Sequence, residues 1–176
     1  IISKISEYIY TIGEESLEEL VVKKMLNSNI TISTAESCTG GLIGHRITQV
    51  PGSSSIYQGG VVSYSNKSKL AQLNINSNTL KKNGAVSKEV ALEMAVNVRT
   101  IFDSNIGLSV TGISGPGGGS IDKPVGLVYV AYCDHNISKV EKFNFHSNRE
   151  SNKFRTSQSA LHLILKNLLK NEKKTS

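Results

Sequence analysis

The 176-residue chain has no tryptophan, two cysteines, three prolines and no apolar run near the roughly 20 residues that cross a bilayer. Each shortage excludes something. Cys38 and Cys133 are too few for a disulfide framework or a four-ligand zinc site, so a reducing compartment and no bound metal are expected. The opening Ile1-Ile2-Ser3-Lys4-Ile5-Ser6-Glu7 lacks the basic-then-apolar profile of a secretion signal, and a soluble cytoplasmic protein with no membrane partner is expected. The phosphate-loop pattern Gly-x-x-x-x-Gly-Lys-Ser/Thr, the dinucleotide fingerprint and the Gly-x-Ser-x-Gly elbow are all missing. The net charge of +6 raises the question of nucleic acid. An aromatic platform, a helix-turn-helix pattern and a clustered basic stripe are lacking, so no nucleic-acid partner is expected. Arg149, Lys153 and Arg155, followed by Lys166, Lys170, Lys173 and Lys174, read as the solvated face of a terminal helix. Anionic small molecules remain compatible with this charge.

What is present is a regular interleaving of helical and strand patterns. Leu17, Leu20, Val21 and Met25 recur at helical spacing before Asn27-Ser28-Asn29. Ile30 to Thr34 alternates like a half-buried strand, and a helix is predicted from about Thr39 to Val50, ended by Pro51-Gly52. Gly59 to Tyr64 reads as a strand and Asn66 onward as a helical piece, while Ser87 caps a helix whose one face carries Val90, Met94, Val98, Ile101 and Phe102. Strands follow over Ile106–Val110, Leu127–Tyr132 and the Glu141, Phe143, Phe145 alternation, then a terminal helix with Phe154, Leu161, Leu165 and Leu168. This order predicts an α/β single-domain layered sandwich over residues 1–176, core about 17–169, with a central mixed sheet flanked by helices.

Two segments can carry chemistry. In Ala35-Glu36-Ser37-Cys38-Thr39-Gly40-Gly41, Ser37 stands between a strand and a helix start, where unpaired backbone N–H groups can hold an oxyanion. The same pattern serves equally as an N-cap with glycines for packing. A serine needs a base. His45, His135, His146 and His162 lie outside any nucleophile-elbow context, which turns attention to a lysine made neutral by burial. Tyr64 with Lys69 is one such pair, and Lys67 and Lys69 also read as surface residues. Cys38 is the rival nucleophile, more simply a small buried residue. The second segment, Thr111-Gly112-Ile113-Ser114-Gly115-Pro116-Gly117-Gly118-Gly119, can cradle a phosphate or a ribose, or be a plain connection.

Taken together, Thr34-Ala35-Glu36-Ser37-Cys38-Thr39-Gly40-Gly41, Pro51-Gly52-Ser53-Ser54, Gly59-Gly60-Val61-Val62-Ser63-Tyr64-Ser65-Asn66, Gly84-Ala85-Val86-Ser87, Thr111-Gly112-Ile113-Ser114-Gly115-Pro116 and Lys123-Pro124-Val125-Gly126 resemble the C-terminal domain of the competence-damage-inducible protein CinA family. That family includes stand-alone nicotinamide-nucleotide amidases. The resemblance implies hydrolysis of the carboxamide of nicotinamide mononucleotide (NMN) to nicotinate mononucleotide and ammonia, a small-molecule nucleotide substrate, no cofactor and a homo-oligomer. It places the nucleophile on Ser37, the family's tyrosine on Tyr64 and its lysine on Lys69 in preference to Lys67. Lys69 is expected to act directly or through the Tyr64 hydroxyl, with N–H groups of Cys38 to Gly40 holding the oxyanion. Substrate contacts are expected from Thr39, Gly40, Gly41, Asn66, Thr111, Gly112, Ser114 and Gly115, and help with the phosphate from Asn66 or Arg46. A domain that keeps the pocket and binds nucleotide without hydrolysing it is the alternative.

Overall fold

A computed structural model describes residues 14–175, with side-chain burial up to residue 170. Helix α1 (Leu17–Asn27) starts at Ser16, whose side chain caps Glu19 N–H while Glu19 caps Ser16 N–H in return. There follow β1 (Ile32–Glu36), α2 (Leu42–Thr48), a short 3-10 turn (Ser53–Ser55) and β2 (Tyr57–Val62). Then come α3 (Asn66–Leu73), α4 (Ser77–Asn83), α5 (Lys88–Ile101), β3 (Ile106–Gly112), β4 (Leu127–Cys133), β5 (Ser138–Asn144) and α6 (Arg149–Thr175).

The strands form one sheet in the order β2-β1-β3-β4-β5. β2, β1 and β3 run parallel, while β4 and β5 add antiparallel neighbours, which makes the sheet mixed. β1 is therefore central, with strands on both sides and helices on both faces. For that reason it does not alternate: all five of its residues are buried, polar Ser33, Thr34 and Glu36 included. Helices α1, α2 and α6 bury Leu17, Val21, Ile43, Ile47, Leu161 and Ile164 against one face. On the other, α5 lies close because the sheet offers it small residues. A Cβ on Gly107 would stand 2.0 Å from the Ala95 carbonyl oxygen, and Ser33 and Ser109 donate hydroxyls to the Val98 and Ala91 carbonyls. The layered α/β sandwich expected from the sequence is what forms.

Two differences from the sequence reading have local causes. α2 starts three residues later than predicted because Gly40 and Gly41 take φ of +65° and +96°, a left-handed conformation that cannot belong to a right-handed helix. α4 has no clear apolar period in sequence; Asn76 caps it and Leu80 alone anchors it.

The carboxyl ends of the three parallel strands lie side by side; the connection from β1 runs to β2 on one side of it, and the connection from β2 crosses to β3 on the other. In open α/β sheets this is where ligands bind. Here those ends carry Ser37, Ser63-Tyr64 and the loop after Gly112.

Candidate active site

Ser37 follows β1 directly, its N–H donating to Val110 O of β3 at 3.0 Å. The turn behind it is shaped by Glu36. One carboxylate oxygen accepts from the Thr39 hydroxyl (2.6 Å), Gly41 N–H (3.0 Å) and Ile43 N–H (3.1 Å), and the other from Gly44 N–H (2.8 Å). A buried carboxylate thus satisfies the unpaired amides that open α2. This corrects the sequence expectation in one respect: the helix start is filled by the protein's own anion. Gly40 N–H is also committed, to Ser37 O at 3.1 Å. Among the described residues no other residue accepts a hydrogen bond from Cys38 or Thr39 N–H.

Lys69 comes from α3, which Ser65 and Ser68 start with a reciprocal cap. One turn in, Lys69 shares an inward face with Leu73, and both are buried, whereas Lys67 is exposed. The Lys69 ammonium donates to Ser37 Oγ at 2.9 Å and to Ser63 O at 2.7 Å. Ser37 is 7% exposed and Lys69 1%. Burial lowers the lysine pKa from its ordinary 10.5 to about 8. The same burial pushes the Cys38 thiol up to about 12, so beside the serine stands a cysteine that keeps its proton at neutral pH. No hydrogen bond joins a described histidine to Ser37; His135 faces Arg99 instead.

Tyr64 is 59% exposed, and its hydroxyl accepts from Arg149 at 2.6 Å. No hydrogen bond links it to Ser37 or Lys69, so the expected relay through Tyr64 is absent here and the direct contact is present. Of the expected substrate contacts, several groups are spent on the fold. The Thr39 hydroxyl and Gly41 N–H go to Glu36, and the buried Thr111 hydroxyl donates to Ala85 O at 2.8 Å. A Cβ on Gly112 would stand 2.6 Å from the Val128 side chain, so that glycine answers to strand packing rather than to ligand approach. Asn66 is exposed at the start of α3. Ser114 donates to Cys38 O at 3.4 Å and Gly115 O accepts from Arg149 at 2.8 Å, which ties the second loop to the Ser37 turn. Gly40 is exposed. Arg46, considered for the phosphate, is buried and bound to Glu18 (2.7 Å), Ser157 (2.8 Å) and Gln158.

Sequence reasoning missed Glu36, which a carboxylate just before a helix start could have announced. Arg149 and Arg155 are exposed on α6 and Lys153 is half-buried, in keeping with the solvated face read from the sequence, while Arg149 also reaches Gly115 O and Tyr64.

The chain matches the CinA C-terminal domain family over residues 14–168. It belongs to that family. A Halothermothrix orenii relative named as a competence-damage inducible protein is 49% identical over 94% of this chain, and a Kosmotoga olearia CinA-like protein is 45% identical over 94%. The chain spans about 40% of the length of both relatives. Among solved CinA-type structures, the competence/damage inducible protein CihA from Agrobacterium tumefaciens superposes with a TM-score of 0.83 at 36% identity, covering 88% of this chain and 97% of that one. A CinA superfamily protein from Klebsiella pneumoniae gives 0.84 at 25% identity, covering 87% and 96%.

Proposed function

We propose that this CinA-family domain is a serine amidase that hydrolyses the carboxamide of nicotinamide mononucleotide to nicotinate mononucleotide and ammonia. The observation that carries this reading is the 2.9 Å contact between the buried Lys69 ammonium and Ser37 Oγ. A lysine kept out of water beside a serine is costly to fold and serves a hydroxyl that must lose its proton. A protein that only bound nucleotide would have no use for it.

Deprotonated Lys69 takes the Ser37 hydroxyl proton as Oγ attacks the amide carbon. Cys38 and Thr39 N–H groups meet the oxyanion. As the C–N bond breaks, the Lys69 ammonium returns the proton to the departing NH2, which leaves as ammonia. Water then attacks the acyl-serine, giving one proton to Lys69; the acyl bond breaks, and Ser37 Oγ recovers its proton from the lysine. The Ser63 carbonyl holds the amine aimed at Oγ throughout.

The test is ammonia release from NMN by the wild type, Ser37→Ala and Lys69→Met. Wild-type turnover with a loss of at least about a thousandfold in each variant is expected. Substantial turnover by Ser37→Ala would reject covalent catalysis by Ser37, and binding of NMN by the wild type without ammonia would move the domain to the binding-only class.

A further inference from the structure

A groove of about 700 Å³ lies between Leu42 of α2 and the first two turns of α6, where Arg149, Lys153 and Arg155 line it with Phe154, against one carboxylate, Glu150. It adjoins the turn that carries Ser37. Lys153 Nζ stands 3.8 Å from the point a Cβ would take on Gly40. Arg149 is fixed at the junction by its bonds to Gly115 O and Tyr64. The side chains of Lys153 and Arg155 have no ion pair or hydrogen bond among the described residues.

This placement goes against two rules of helix electrostatics. Cations are unfavourable in the first turn of a helix, where the peptide dipoles already present positive charge, and Arg149 opens α6. Like charges four apart, as Arg149 and Lys153 are, repel. Residues that break a local rule together, around a cavity, mark a place where something else supplies the missing charge. A small dianion lying in the groove would meet Lys153 and Arg155 at once, with its organic part extending past Gly40 toward Ser37.

Building on the amidase reading, we infer that this groove is the subsite for the substrate's phosphomonoester, and that Lys153 is the residue by which the domain selects a 5′-phosphorylated pyridine nucleoside over the nucleoside or the free base. Arg46 and Asn66, the candidates from sequence, are thereby relieved of that role.

Two measurements on the full chain test this separately from catalysis. Ribose 5-phosphate, which has no amide, is titrated into the wild type, Lys153→Met and Lys153→Arg by calorimetry, and the preference for NMN over nicotinamide riboside is read as a ratio of kcat/KM values. Lys153→Met should weaken ribose 5-phosphate binding and reduce the preference, each by about tenfold, the scale of one charge-assisted hydrogen bond, while Lys153→Arg retains both. Unaltered affinity and preference in Lys153→Met, or no binding of millimolar ribose 5-phosphate to the wild type, overturns the inference. Should no pyridine substrate release ammonia while ribose 5-phosphate binding still depends on Lys153, the amidase reading alone falls. Hydrolysis of NMN with a preference indifferent to Lys153 removes the groove alone.

Discussion

At the scale of single residues the proposed chemistry depends on how much neutral amine Lys69 offers. With its pKa lowered to about 8, the deprotonated fraction rises about tenfold from pH 6 to 7 and levels off above pH 8. kcat/KM for NMN should follow that curve; a flat profile between pH 6 and 8 would exclude Lys69 as the base. The same shift leaves a mark on stability that needs no activity assay. Folding lowers the pKa, so below about 8 both states hold the proton and the folded state bears the full cost of the buried ammonium. From 8 to 10.5 the unfolded chain binds the extra proton and stability rises with pH; above 10.5 both are neutral. Lowering a pKa from 10.5 to about 8 corresponds to about 3 kcal/mol. In denaturant unfolding, the wild type should gain roughly that much relative to Lys69→Met between pH 7 and 10.5. A pH-independent difference between the two would mean that Lys69 is not desolvated. Ser37 and Cys38 are neighbours that the structure treats in opposite ways, since one hydroxyl faces an amine and one thiol is sealed with a pKa near 12.

At the scale of the element, the strand-turn-helix unit from β1 to α2 is organised by a side chain that does not itself reach the reacting atoms. Glu36 accepts four hydrogen bonds, three of them from backbone amides, and so holds the Ser37 turn at a fixed height over the sheet. Glu36→Gln keeps the size but turns an NH2 group toward N–H donors. An unfolding temperature lower by about 4–8 °C is expected, corresponding to about 2 kcal/mol in a chain of this length. kcat should fall with it while KM stays within about twofold, since the groove of α6 is untouched. A stable variant with full kcat would show that the turn keeps its shape without the carboxylate. Two spans illustrate what pattern reading can recover. α5 has a long run of apolar spacing and Ser87 before it, and forms over Lys88–Ile101 as the sequence indicates. β1 was read as alternating and is buried throughout, because alternation is a property of sheets with one wet face and β1 has none.

At the scale of the whole molecule the site needs parts brought together from both ends of the chain. Arg46 of α2 links Glu18 of α1 to Ser157 and Gln158 of α6 and lies 5.1 Å from the Phe154 ring centre, so it clasps the helices of one layer together. Arg46→Met should lower stability by about 2–3 kcal/mol, seen as a melting point about 5–10 °C lower, with KM for NMN unchanged. A KM raised tenfold in a well-folded variant would return Arg46 to the phosphate role. Amino-acid order alone determined the family, the α/β layering and the serine at a strand end, since these depend on periodicity, glycine placement and short motifs that neighbouring residues settle among themselves. It also supplied the pairing of Ser37 with Lys69, though only through resemblance. Which lysine is buried, that Tyr64 binds Arg149 and that Lys153 of α6 lies beside Gly40 were decided by tertiary structure. Burial, desolvation and reach between residues 30 to 115 positions apart come into being only when the three parallel strands align their carboxyl ends beneath the last helix.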